Sequence, residues 1–487
     1  MSPVSRVSSI VAAVVLLIPV CGSALNSTPS SAAAIGADVI VTAAPEYEPL
    51  AALQGGERFS KGAQLLLIHE GKPEPLVKNF AASADASVSF DGKRILFAGK
   101  QAASDPWQIW EMTLADRSLR RLIAGASDAI RPFYLPAGRL VYAQRTSQGY
   151  QLEAAGKDAS NAFAPIDADA GSTLLSLSYL SASAIPSDVL ADGRVLFEAS
   201  YPLGSGSTPE MFLVYSDGSG VESYRCDHGK ARWGGRQLAS GDVVFTHGAT
   251  LARFTSPLAH ETQVAAPAGE YAGAVAETPT GSWLVSAKTA ASDHFALKQW
   301  KPGAAAIRTV LVESGENLVD PVLVAPRYRP KRHPSGLHDW NYANLLALDA
   351  RQSREGDLKT APASVRMETM EAGHAVIAGT APVETDGSFF VKVPADKPIR
   401  FSLLDDKGAV LRAEHGWFWT RKGEQRICVG CHAGPERASE NRVPAVLLRT
   451  TTPVDLTGAA QANAAKPKTP GSPQTGLRLW GGSPGGN

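Results

Sequence analysis

Charge of one sign is missing from this sequence. Over 487 residues, 47 lysines and arginines are balanced by 47 aspartates and glutamates. No basic face is therefore available to track a phosphate backbone or an anionic lipid surface, and nucleic acid is excluded as a partner. Long apolar runs are missing too, which leaves no candidate membrane span. Cysteine is scarce: Cys21, Cys226, Cys428 and Cys431 are the full set, too few for a disulfide framework. Aromatic residues make up only 7%. H-E-x-x-H does not occur and G-x-S-x-G falls only in the glycine- and proline-rich tail, at Gly481–Gly485, so a carbohydrate or peptide hydrolase has no visible support. What is abundant is glycine (45) and proline (33), a composition of many turns rather than long helices. The length calls for two or more cores.

The amino terminus has one basic residue, Arg6, followed by the apolar run Ile10–Val20 and then small residues. This is the pattern of a secretory signal peptide over residues 1–24, too short to anchor by spanning. Cleavage after Ala24 is one reading and a lipid anchor at Cys21 is the other, with Val20 a bulky residue where a lipidation site wants a small one. Either way the expected location is periplasmic or otherwise extracytoplasmic. Residues 25–55 read as a flexible leader.

Cys428-Val429-Gly430-Cys431-His432 is the stretch with chemistry in it. Two thiols at this spacing can each add to one vinyl group of a haem, and a histidine directly after the second then stands beneath the iron. The reading is one covalent haem c on Cys428 and Cys431, with His432 as proximal iron ligand. A zinc site, a redox dithiol and a plain disulfide are the alternatives, and the first lacks a second ligand pair. No methionine or histidine follows His432, so a second strong iron ligand has to come from upstream. His415, His374, Met367, Met370, Cys226 and Glu436 are the candidates. Cys226, in Tyr224-Arg225-Cys226-Asp227-His228, is left without a thiol partner. It is either a ligand to an additional metal ion, with His228, or a small buried hydrophobe.

From about residue 56 the chain repeats one grammar, a glycine turn followed by an alternating strand. Asp91-Gly92 precedes Lys93–Phe97, Gly138 precedes Arg139–Tyr142, Asp192-Gly193 precedes Arg194–Phe197, and weaker copies begin at Gly241 and Gly281. A recurrence of roughly 40–50 residues with several short strands per unit is the signature of propeller blades. It resembles the Tol-Pal-type propeller repeats of periplasmic proteins. Five units, plus one closed by Gln64–His69 with chain near Val322, predict six blades over residues 56–325.

Residues 326–340 begin with a proline-rich basic linker. Arg327, Arg329, Lys331 and Arg332 are read there as solvated cations, or as partners for haem propionates if the second domain folds back. Hairpin patterning over 341–452 predicts a small β-sandwich-like domain, with strands at Ala343–Leu348, Ser364–Glu371 and Phe401–Leu404. Alternation in Glu414–Trp419 would place His415, Trp417 and Trp419 on one face beside the haem. Residues 453–487 read as a disordered tail.

Two stretches carry a more specific resemblance. They are GTAPVETDGSFFVKVPADKPIRFSLLD and GWFWTRKGEQRICVGCH followed by PERASENRVPAVL. They resemble the middle domain of the hydrazine synthase alpha subunit family, in which a propeller precedes a β-rich haem domain. The resemblance implies haem on Cys428, Cys431 and His432, and a propeller cysteine near the haem, for which Cys226 is the candidate. It does not extend to hydrazine synthesis: no second C-x-x-C-H follows, and the family's tyrosine four residues past the motif histidine is Glu436 here. The sequence thus predicts a mainly β, exported mono-haem cytochrome serving electron transfer or redox sensing with a redox partner protein. The alternative is a redox enzyme acting on a small molecule at an open iron.

Overall fold

The turn glycines of the repeat lie in left-handed backbone, with φ of +73° at Gly92 and +87° at Gly193, which is why the sequence spends glycine there. Each links the first strand of a four-stranded sheet to the second. The first strands are β1 (Ala82–Val88), β2 (Ala129–Leu135), β3 (Ala184–Val189), β4 (Arg232–Gln237) and β5 (Glu270–Glu277), and β6 (Asn317–Val324) takes the same place in a sixth sheet. Each touches the next, and β6 touches β1, so six antiparallel sheets close into a propeller.

The computed structural model describes residues 35–156, 175–203, 206–225, 227, 229–256, 258–331, 333, 335–353, 356–430 and 440–458. The signal-peptide segment, Cys21, Cys226, His228, Arg332, Cys431, His432 and Glu436 lie outside the described residues.

The ring is sealed by pairing β6 with Asp38–Ala44, through partners such as Val39 with Leu323 and Ile40 with Val322. Gln64–His69 and Lys72–Pro75 complete that blade. The expected leader is therefore corrected from residue 38 onward: Asp-Val-Ile-Val-Thr-Ala-Ala is a buried strand. Its apolar side chains meet Leu66, Ile68 and Leu318, a partnership between chain segments far apart in sequence.

Charge concentrates at the propeller axis. Bulges in β1, β2 and β6 put Asp85, Arg131 and Asp320 at φ of 59°, 53° and 52°. Arg58 rises between them and pairs with Asp85 and with Asp320, each at 2.5 Å, all three side chains being 4–5% exposed. The backbone N–H of Arg131 donates to Asp85 and that of Ala274 to Asp320. Charges this deeply buried persist only when paired and hydrogen-bonded.

Beyond the propeller, two four-stranded sheets face each other. One orders β13 (Gln425–Cys428), β7 (Tyr342–Ala347), β10 (Phe389–Pro394) and β14 (Val454–Asp455); the other orders β9 (His374–Pro382), β8 (Ser364–Glu371), β11 (Ile399–Leu404) and β12 (Val410–Ala413). Strict alternation sends Ala343, Leu345, Val365, Met367, Val391, Val393, Phe401 and Leu403 into the shared core. Met367 is thus a core side chain. β14 lies in what was expected to be tail, paired in parallel with β10. A short helix, α1 (Ala445–Arg449), precedes it.

The linker is not solvated along its whole length. The N–H of Arg327 donates to Phe90 O at 2.9 Å, and its guanidinium stacks on the Phe90 ring at 4.6 Å and lies 3.9 Å from Asp188. Arg329 also sits over Phe90, at 5.8 Å. These two cations pack on the propeller face.

Replacing Arg58 by leucine strands two buried carboxylates and should lower the unfolding free energy by about 3–5 kcal/mol, measured by urea titration. Burial pushes Asp320 up, but Arg58 and Arg131 outweigh it and hold its carboxyl well below the usual range. A depressed folded-state pKa gives stability that is present above the unfolded value, about 3.9, and lost as pH falls below it. The deficit of Arg58→Leu relative to wild type should therefore shrink under acid conditions.

Candidate functional site

Cys428 ends β13, an edge strand lying parallel to β7 with Ala347 opposite Cys428. The strand alternates: Arg426 and Cys428 face inward, while Gln425 and Ile427 face out, Ile427 being 66% exposed. Pairing continues past the cysteine, with Leu348 N donating to Cys428 O at 2.9 Å and Asp349 N to Val429 O at 3.2 Å. Gly430 follows with its backbone flat against the loop over Asp349–Gln352. A Cβ there would lie 2.8 Å from Gln352 O and 2.9 Å from Asp349 O. The spacer of the motif therefore needs glycine for close approach. The Cys428 thiol is free and half-buried against the sandwich core. Burial raises its pKa, the Arg426 guanidinium opposes the rise, and Glu414 adds to it.

The turn Thr385–Ser388 holds both the loop that Gly430 packs on and the chain after the segment 431–439. In the loop, Ala350 N donates to Gly387 O at 2.8 Å, and a side chain on Gly387 would overlap the Asp349 carboxylate. After the segment, the Asp386 carboxylate accepts the N–H of Ala445 at 2.7 Å and pairs with Arg442, while Ser388 Oγ accepts the N–H of Val446 at 3.1 Å. Burial works against the Asp386 charge, but its hydrogen bonds from Ser388 and Ala445 bring the pKa down to about 2. The Asp-Gly-Ser-Phe sequence thus clamps the loop under Gly430 and the chain from Arg442 to Val446.

Residues 419–426 reach into the propeller. The Trp419 indole is 1% exposed in a core with Phe197 and Val195, and donates to Gly218 O at 2.9 Å. Arg421 donates to Ser176 O at 3.0 Å, hydrogen-bonds Tyr179 Oη and pairs with Asp396 at 3.1 Å. Glu424 accepts the N–H of Gly220 at 3.2 Å, and Arg426 donates to Val221 O at 2.5 Å. Gly423, at φ +69°, presses against the backbone of His338.

This anchoring overturns the alternation expected for Glu414–Trp419. No strand forms there, only a bridge from Phe418 to Ile399, because Trp419 gains more from burial in the propeller than from ladder pairing. His415, Trp417 and Trp419 do not share a face. Trp419 is committed to the propeller core, whereas His415 and Trp417 line an open depression of about 450 Å³ together with Arg366, Glu368, Arg400, Ser402, Val410, Ala413 and Glu414. Arg400 stacks on Trp417 at 4.6 Å and pairs with Glu368 at 2.5 Å. Glu414 is pushed up to about 7 by burial, against a hydrogen bond from Phe401 N–H and the charges of Arg426 and Arg400.

Glu414, Arg366, Arg400 and Arg426 were not singled out in the sequence. The outward alternation of Arg366 and Glu368 in β8 and of Arg400 and Ser402 in β11 was the available signal; the pairing of those two strands was not. Among the described residues no group of three or more potential ligands forms a metal site. Cys226 and His228 lie outside the described residues; Val221 accepts from Arg426, and Asp227 pairs with the buried Arg232 at 2.7 Å.

The described residues fit a thioether-bound haem: a free, half-buried thiol at a strand end, followed by a glycine spacer.

Trp419→Ala should cost about 3–5 kcal/mol and loosen the sandwich from the propeller. Calorimetry should then show two transitions where wild type has one. Asp386→Asn should speed amide exchange over residues 442–449 without altering exchange in the propeller. Since the folded-state pKa of Asp386 is depressed, its contribution is present above about pH 3.9 and lost as pH falls toward 2. The wild-type exchange rates should approach those of the variant across that window.

Residues 344–433 match the family model described as the hydrazine synthase alpha subunit middle domain. The hydrazine synthase subunit alpha of Kuenenia stuttgartiensis is 39% identical over 61 residues, a match that spans 12% of this chain and only 8% of that protein. Among solved structures, Kuenenia stuttgartiensis hydrazine synthase superimposes with a TM-score of 0.73 over 85% of this chain and 71% of that chain, at 17% identity. TolB from Acinetobacter baumannii aligns over 61% of this chain and 67% of that chain, with a TM-score of 0.43 at 12% identity. By sequence over residues 344–433 this chain matches the hydrazine synthase alpha subunit middle domain, and by fold over most of its length it is similar to hydrazine synthase.

Proposed function

We propose that this protein is an exported mono-haem c-type cytochrome, with haem attached through Cys428 and Cys431 and His432 as proximal ligand, that transfers electrons or senses redox state. The observation that supports it best is the Cys428 thiol. It is free, it opens a C-x-x-C-H sequence, and it lies within the segment matched to the hydrazine synthase alpha subunit middle domain. When bound, haem supplies a one-electron centre whose potential is set by its axial ligands and surroundings.

The chain's own residues then have defined tasks. β13 and Gly430 fix the attachment strand against Asp349–Gln352, and Asp386 fixes the chain that follows. Arg421, Glu424 and Arg426 tie that strand to the propeller, whose exposed faces are left for a redox partner protein. Cys226, with His228, is the candidate ligand of an additional metal ion, and Glu436 stays among the candidates for a second ligand of the haem iron. No helix among the described residues is long and apolar enough to cross a membrane. The extracytoplasmic location rests on the signal-peptide pattern of residues 1–24, with the lipid anchor at Cys21 as the variant reading.

A second reading, a redox enzyme acting on a small molecule, is favoured by the depression that holds His415, Trp417 and Glu414. The reaction named for the hydrazine synthase relatives is not carried over.

Visible spectra of the full chain, expressed with a haem-attachment system, test both readings. Wild type should keep its haem under denaturing conditions and Cys428→Ala/Cys431→Ala should lose it; a wild type without covalent haem sinks the proposal. A low-spin spectrum unaltered by CO supports electron transfer. A high-spin spectrum that shifts with CO moves the enzyme reading ahead.

A further inference from the structure

We infer that the depression lined by Arg366 and Arg400 is the seat of the carboxylates of the bound haem, with those two arginines as its propionate clamp. This rests on the haem reading above and goes beyond it by assigning residues outside the attachment motif.

The first observation is a buried donor without a partner. Arg366 and Arg400 face the depression from adjacent strands, and one carboxylate, Glu368, lies beside both, at 2.5 Å from Arg400 and 3.8 Å from Arg366. Glu414 and His415 are the remaining titratable groups of the lining. Arg366 Nε is buried and has no hydrogen-bond partner among the described residues. A buried donor left unmade costs about 1–3 kcal/mol, and an incoming carboxylate removes that cost with a charge-assisted bond.

The second observation is shape. The cavity, about 450 Å³, lies in the range of roughly 300–1,000 Å³ typical of small-molecule sites. One wall is Trp417 with Arg400 stacked on it at 4.6 Å, and Val410 adds an apolar edge. A flat apolar ring bearing acidic arms matches a wall of indole and guanidinium.

The third is position. Trp417 lines the depression, and its neighbour Phe418 packs against the same sandwich core as Cys428, where the haem would be attached. The competing cations, Arg327 and Arg329, are engaged on Phe90 and Asp188 at the propeller face.

Taking a positive charge from beside the haem favours the oxidised iron, which carries one more positive charge than the reduced, so the midpoint potential falls. Full-length holoprotein is compared with Arg366→Gln, Arg400→Gln and Arg400→Lys, with Arg117→Gln on an outer propeller strand turn as control, by spectroelectrochemistry at fixed pH. Each glutamine variant should favour oxidation at least tenfold, a drop of about 59 mV for a one-electron couple; Arg400→Lys should keep most of the wild-type value and Arg117→Gln all of it. Arg366 Nε has no bond to lose, so Arg366→Gln decides the matter alone if Arg400→Gln does not accumulate. Covalent haem with an unchanged potential in Arg366→Gln overturns the clamp and leaves the cytochrome reading standing. Wild type without haem overturns both.

Discussion

The burial of Trp419 in the propeller is the contact on which the rest of the second module depends. An indole sunk among Phe197, Val195 and Tyr179, with its N–H satisfied by Gly218, fixes one point of the chain in the wall of another fold. From that point Arg421, Glu424 and Arg426 follow in sequence, and each finds a propeller carbonyl or amide. Two residues later comes Cys428. The strand that ends in Cys428 is an edge strand, which on its own would fray; its position is set by the sandwich on one side and the propeller on the other.

A similar economy governs the propeller axis. Asp85 and Asp320 are held in unfavourable left-handed backbone at the bulges of β1 and β6, and both turn to the same guanidinium, Arg58. Strained backbone of this kind persists only where its surroundings over-determine it. Here the ion pairs and the backbone amides of Arg131 and Ala274 do so.

What the sequence disclosed follows from how local each signal is. Asp91-Gly92 and Asp192-Gly193 announced blade turns because a positive φ is a demand on a single residue. Val365, Met367, Phe401 and Leu403 revealed the sandwich because alternation is read within one strand. The Asp38–Ala44 strand was hidden because its partner, β6, lies at the other end of the propeller. Trp419 was misplaced because alternation assumes a strand, and the chain there follows a groove supplied by residues 175–221. Arg366 and Arg400 were invisible for the same reason: they become neighbours only once β8 and β11 pair. The C-x-x-C-H pattern stood out because it is defined by spacing alone.

The closing blade has a consequence for how this chain tolerates rearrangement. Because Asp38–Ala44 and β6 are adjacent strands of one sheet, the start and the finish of the propeller segment are neighbours in space. The ring has no privileged opening: topologically its ends could be joined and a new break made in the connection between any two other blades. The entropic cost of closing a longer loop grows only slowly, by about 0.6 kcal/mol per doubling. A circularly permuted propeller would thus keep every sheet, and the sandwich would still find Gly218, Gly220 and Val221 where it left them.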